Sequence, residues 1–225
     1  MATTSLRGRK VAFLATDGVE QSELTGPWKA LEDAGAELEL LSIKPGTIQM
    51  MQHDEKGDTF PVDKLVGDAN SADYAALVLP GGVANPDRLR QDKKAVQFAR
   101  EFVAGDKLVA AICHGPWLLV EADVVRGRTL TSWPSLQTDI KNAGGKWVDS
   151  EVQKDEKLIT SRKPSDIPAF NRAIAEALAN GGREEAKLDR MVEQTFPASD
   201  PLPSPSAIGG EGASKTSDQR EGRAP

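Results

Sequence analysis

The 225-residue chain has one cysteine and two histidines, and one histidine follows the cysteine directly in Ala110-Ala-Ile-Cys-His-Gly-Pro116. An apolar run leads into Cys113 and a helix start follows at once, the strand–turn–helix pattern of a nucleophile elbow. There the sulfur faces the positive end of the helix, where N–H groups and the dipole favour a thiolate. The expected thiol pKa is therefore below the free value of ~8.5. Gly115 permits the tight turn, and Pro116 suits a first helical turn, where its missing N–H costs nothing. A small buried cysteine closing a strand would share part of this pattern.

A sulfur nucleophile needs a group that moves protons and donors for the charge that develops on oxygen. Glu20, after Asp17-Gly18-Val19, is the candidate carboxyl. Buried near the sulfur it would have a raised pKa and could donate a proton. A first-turn acid with Asp17 as helix cap also explains it in purely structural terms. Glu23, one turn on, is a candidate of the same kind. Pro80-Gly81-Gly82 lets the backbone approach a ligand, so its N–H groups could serve an oxyanion. Side chains of neighbouring residues diverge, so His114 needs a third group to orient it before it can act on Cys113. His53, in a polar Gln-His-Asp-Glu-Lys-Gly loop, reads as solvated.

The elements that must position these residues alternate regularly. Strands are expected at 10–15, 37–42, 75–79, 107–113, 146–149 and 157–161. Helices are expected at 20–34 (Leu24, Trp28 and Leu31 on one face, Gly35 as stop), 92–103 (Val96, Ala99 and Val103 inward), 116–122, 134–142 and 165–180. Residues 44–70 read as loop, with a short strand near 60–62. Alternation of this kind means βαβ units and a mostly parallel sheet with helices on both faces. Reactive groups in such sheets lie beyond the carboxyl ends of the strands, here 17–20, 80–82 and 113–115.

Composition narrows the function classes. The chain is 39% hydrophobic, average for a globular protein once its glycines are counted. A net charge of −6 lacks a basic footprint, so no nucleic-acid partner is expected. One cysteine excludes an intrachain disulfide framework and a cysteine-based zinc site. No run approaches a membrane helix and no signal segment stands at the start, so no membrane partner and a cytoplasmic location are expected. No cofactor or metal is expected, since His53, His114, Cys113 and the carboxylates lack ligand spacing. Residues 8–180 read as one α/β domain and 181–225 as a C-terminal extension: a short amphipathic helix (Leu188, Met191, Val192, Phe196), then a linker-like tail from Ser199.

Ala111-Ile-Cys-His-Gly-Pro116, Leu77-Val-Leu-Pro-Gly-Gly82, the 17–24 stretch and Gly127-Arg-Thr-Leu-Thr-Ser-Trp-Pro134 occur in one order at spacings that resemble the PfpI branch of the ThiJ/PfpI superfamily, close to its general-stress-protein members. The resemblance spans about residues 8–180. It implies a flavodoxin-like fold, Cys113 as reactive cysteine, Glu20 as the buried glutamate against the sulfur, His114 as the PfpI histidine, and N–H groups of Gly82 and His114 as the oxyanion site. Gly81 and Trp133 are candidate pocket residues. Asp87 matches a glutamate that reaches the histidine of a neighbouring subunit in PfpI oligomers, which implies a homodimer or larger homo-oligomer. The implied function is cysteine-dependent chemistry on a small carbonyl substrate, of glyoxalase or deglycase type. PfpI-type peptidase action on peptides, or a redox-sensor or chaperone role for Cys113, are the alternatives. A glutamine amidotransferase is disfavoured, because no histidine follows His114.

Overall fold

The computed structural model describes residues 5–195. In chain order the strands are β1 (Lys10–Leu14), β2 (Val19–Glu20), β3 (Glu37–Ser42), β4 (Thr47–Gln52), β5 (Glu55–Pro61), β6 (Lys64–Leu65), β7 (Ala76–Leu79), β8 (Leu108–Ile112), β9 (Thr129–Leu130), β10 (Lys146–Trp147), β11 (Val152–Asp155) and β12 (Leu158–Ser161). The helices are α1 (Gln21–Asp33), α2 (Ala84–Leu89), α3 (Lys93–Ala104), α4 (Pro116–Glu121), α5 (Gln137–Asn142) and α6 (Ile167–Thr195). The main sheet has the order β11-β12-β8-β7-β1-β3-β6. Its neighbours are parallel except β11 against β12.

Side chains alternate across a strand, and here both faces are apolar. Val11, Phe13, Val78, Ala110 and Ile112 face one core, completed by Leu24 and Leu31 of α1 and by Phe170 and Ile174 of α6. Ala12, Leu14, Leu77, Leu79, Val109 and Ala111 face the other, completed by α3, α4 and α5. The strands are thus buried on both faces, the condition for a parallel sheet between helical layers.

Four expectations need correction. Residues 44–70 hold the β4–β5 hairpin and β6, and the hairpin pairs with β2 as a small separate sheet. Its anchor is aromatic: Phe60 meets Trp28 at 4.9 Å, and Trp28 meets Phe13 at 5.0 Å. The buried face of α3 is Ala95, Phe98, Ala99 and Phe102, with Val96 and Val103 only half-buried. Two phenylalanines four residues apart have more apolar surface to bury than two valines, and they set the helix rotation. Helix α1 is not capped by Asp17: residue 20 is the N-cap, with no side-chain cap bond, and Asp17 instead accepts from the Gln49 N–H and from Lys44. Finally, α6 does not stop at Asn180 but continues through Gly181 and Gly182 to Thr195. Each glycine costs about 1 kcal/mol against alanine, which does not by itself end a helix. Positions 188–192 therefore lie on α6 rather than on a separate helix, while Phe196 and the tail fall outside the described residues.

Candidate active site

The strand order reverses between β1 and β7, which are adjacent although β3 follows β1 in the chain. In open α/β sheets a crevice opens beyond the carboxyl ends at such a point. The ends of β1, β7 and β8 deliver α1, the Gly81–Gly82 turn and Cys113 to it.

Cys113 has φ +61°. A residue with a side chain enters this left-handed region at a cost of about 1–3 kcal/mol, so the surroundings must impose it. Its N–H donates to Ser161 O (3.1 Å), its carbonyl accepts the Trp133 N–H (2.8 Å), and the Gly115 N–H donates to Ile112 O (2.8 Å). The sulfur is aimed at the crevice floor while the residue stays 7% exposed.

Glu23 is fully buried beside that sulfur and interacts with it. Its Oε2 accepts the Gly81 N–H at 2.9 Å, and Oε1 is buried without a partner of hydrogen-bonding geometry. Burial raises the carboxyl to about 7, against the pull of the thiol and of the Gly81 and Gly82 N–H groups. Burial also pushes the Cys113 thiol up, and negative charge on Glu23 pushes it further, while the N–H groups of Gly82 and His114 pull it down. Two such groups in contact titrate as a pair. The expectation of an acidic thiol is therefore corrected in direction: α4 is only six residues long, and desolvation outweighs its dipole.

Glu20 does not reach the sulfur site as expected. It ends an extended segment (ψ 120°) that pairs with β4, so its side chain leaves the inner face of α1. Its carboxylate accepts from Ser22 Oγ (3.3 Å) and from the His53 N–H (3.0 Å) at the mouth of the crevice. The group expected of Glu20 is supplied by Glu23, which shares the buried stripe of Leu24, Pro27 and Leu31. That membership was the signal available in the sequence.

His114 departs from expectation in the opposite sense. The turn at Cys113 brings the two adjacent side chains together, with His114 Nδ1 3.2 Å from Sγ. Burial lowers the imidazole pKa. Asp87 is not beside it: within the chain Asp87 pairs with Arg90 Nε at 3.1 Å. Trp133 lies against His114, ring centroids 5.9 Å apart and 26° from parallel. Gly82 has φ +77°, a conformation side chains rarely adopt, and a β-carbon there would lie 2.3 Å from Gly18 O; Gly81 is packed so closely that a β-carbon would lie 2.6 Å from Glu23 Oε2 and 2.7 Å from Cys113 Cβ.

Cys113, His114, Glu23, Gly82 and Trp133 line a cavity of about 330 Å³ together with Glu20, His53, Asp54, Val83 and Pro164, whereas Gly81, expected in the pocket, is packed beneath its floor. Among the described residues, no lysine or arginine lines it. Among the described residues, no group of three or more His, Cys, Asp or Glu side chains could hold a metal ion, and no helix is long and apolar enough to cross a membrane.

Residues 9–177 match the DJ-1/PfpI family model. The chain is 44% identical over 165 residues to protein/nucleic acid deglycase 2 of Escherichia coli, covering 73% of this chain and 94% of that protein. It is likewise 44% identical to general stress protein 18 of Bacillus subtilis over 167 residues, 73% of this chain and 95% of that one. A crystal structure of a two-domain Anabaena variabilis protein, with DJ-1/ThiJ/PfpI-like and ferritin-like domains, superposes with a TM-score of 0.72 at 34% identity. That match covers 76% of this chain but about half (48%) of the Anabaena one.

Proposed function

The chain belongs to the DJ-1/PfpI family, and from that premise we propose that it is a cysteine-dependent stress enzyme for reactive 2-oxoaldehydes such as methylglyoxal, free or as adducts on amines. The observation that carries the reading is the Glu23 carboxyl: buried against the one thiol and raised to about 7, it can hold or release a proton at neutral pH.

The thiol loses its proton to His114 Nδ1 as Sγ adds to the aldehyde carbon. The carbonyl electron pair moves to oxygen, beside the N–H groups of Gly82 and His114, and that oxygen takes the Glu23 proton. The product is a hemithioacetal. Glu23, now a carboxylate, removes hydrogen from the former aldehyde carbon, and the electrons pass to the neighbouring ketone oxygen, which is protonated to give an enediol. Return of a proton to the second carbon leaves a thioester, which water cleaves to lactate and the free thiol. The sum is methylglyoxal plus water to lactate, with no external oxidant or reductant. From an amine adduct the amine departs with a proton and the same hemithioacetal forms. A reducing cytoplasm suits this chemistry, since it keeps the thiol free.

The test is a substrate panel on wild type and Cys113→Ala: methylglyoxal, methylglyoxal-treated N-acetylarginine and a fluorogenic peptide. Wild type is expected to form lactate and Cys113→Ala to lose that activity. Cys113-dependent peptide cleavage without lactate from either carbonyl substrate would make it a peptidase and overturn the reading.

A further inference from the structure

Resting on that reading, we infer that Ser135 is the positioning residue of His114, holding the imaginary line Cys113–His114–Ser135 within a single chain. His114 Nδ1 faces the sulfur at 3.2 Å, and its other ring nitrogen, Nε2, lies 3.2 Å from Ser135 Oγ. His114 is 8% exposed, whereas Ser135 is exposed. The serine hydroxyl is therefore the polar contact between a buried imidazole and solvent.

A hydroxyl both donates and accepts, and it rotates to suit its partner. When Nδ1 is unprotonated and ready to take the thiol proton, Nε2 carries hydrogen and donates it to Ser135 Oγ. Once Nδ1 has taken that proton, both nitrogens are donors, and the same Oγ lone pair stabilises the imidazolium that burial disfavours. Ser135 thus selects the tautomer that can receive the proton and supports the charged ring afterwards. Cys113 faces the ring at Nδ1, Glu23 interacts with the sulfur, and Arg90 stacks on Trp117, whose ring centroid lies 6.3 Å from that of His114.

The position of Ser135 is fixed from several directions. It sits in the short 3-10 turn Pro134–Leu136. The chain just before that turn is tied down by the Trp133 N–H on Cys113 O (2.8 Å), by Trp147 Nε1 on Ser132 Oγ (3.0 Å) and by the Thr131 N–H on Thr160 Oγ1 (2.9 Å). Trp133, the residue just before the turn, stacks on the imidazole. Asp87, the orienting group expected from a neighbouring subunit, is engaged with Arg90. Within one chain the hydroxyl is thus the group placed to orient the histidine.

The experiment compares wild type, Ser135→Ala, Ser135→Thr and Asp87→Asn in the full-length protein. It reads kcat and KM for methylglyoxal, and the iodoacetamide alkylation rate of Cys113 against pH. Ser135→Ala is expected to lower both kcat and neutral-pH alkylation about 3- to 10-fold, the weight of one neutral hydrogen bond. KM should hold, and Ser135→Thr should restore both rates. The threonine rescue separates an effect of the hydroxyl from an effect of folding. Unchanged rates in Ser135→Ala, or a threonine variant no better than alanine, would overturn the inference. So would a larger loss in Asp87→Asn than in Ser135→Ala, which would assign the orienting role to the carboxylate of another copy. Should wild type form no lactate at all, the proposed function falls, yet the alkylation rates still decide the role of Ser135.

Discussion

The floor and the rim of the crevice carry the same kind of side chain in opposite circumstances. On the floor, Glu23 is fully buried, touches a thiol and has its carboxyl raised to about 7. At the rim, three residues earlier, Glu20 accepts bonds from Ser22 and from the tip of the hairpin beside a solvent-facing His53. One carboxyl can exchange a proton with a bound substrate; the other braces a loop. What separates them is not residue type or distance along the chain but the backbone at Glu20, which is extended and lies outside the helix.

This contrast can be broken most directly by paired substitutions. Glu23→Gln keeps the shape and a donor but cannot carry a proton, so lactate formation should fall by ~10²-fold or more. Equal rates in Glu23→Gln and wild type would remove the carboxyl from the chemistry. The same substitution sharpens the electrostatic difference. A carboxyl raised from 4.5 to about 7 in the folded state binds its proton more tightly there than in the unfolded chain. Its penalty is absent below about 4.5 and grows as pH rises through 7. Wild-type stability, measured by urea unfolding against Glu23→Gln at each pH, should therefore decline by roughly 3 kcal/mol across that window. A flat difference would place the ionised form at no disadvantage in the fold.

At the rim the expected effects are smaller. Glu20→Gln retains an acceptor for the His53 N–H, and turnover should stay within about 3-fold of wild type, the scale of one net hydrogen bond. A loss as large as that of Glu23→Gln would restore Glu20 to the role expected from the sequence. Smaller still should be truncation after Asn180. The buried residues described on α6 end at Leu178, so melting temperature should move by only a few degrees. A chain that aggregates on truncation would make the extension part of the core.

Much of this architecture is legible in the residues. Short apolar runs alternating with helical periods specify a parallel sheet buried on both faces, and an apolar strand running into Cys-His-Gly-Pro marks the elbow. The assignment of the carboxyl was harder. Glu20 and Glu23 both precede or join the Leu24 stripe, and the choice depends on where the helix begins, which is a matter of one or two residues. The β4–β5 hairpin was hidden for another reason. It is a two-sided, mostly polar ribbon whose inward residues are few, chiefly Ile48, Met50 and Phe60, so alternation is faint. The approach of His114 to its own neighbour was illegible because it follows from a positive φ at Cys113 that no pattern of residue types announces.

The close packing at Gly81 has a consequence for how the molecule can change. A side chain there would collide with the acid, the nucleophile and the N–H of His114, which would lie 2.8 Å from the new carbon. Three reacting parts thus share one atom-sized gap, and no side chain can be added at Gly81 without displacing them. Val83 (61% exposed) and Trp133 (39% exposed), at the outer edge of the same cavity, press on solvent instead. Variation in substrate size is therefore open to the chain at those outer positions, by single steps, while growth of a side chain at Gly81 requires its neighbours to change with it.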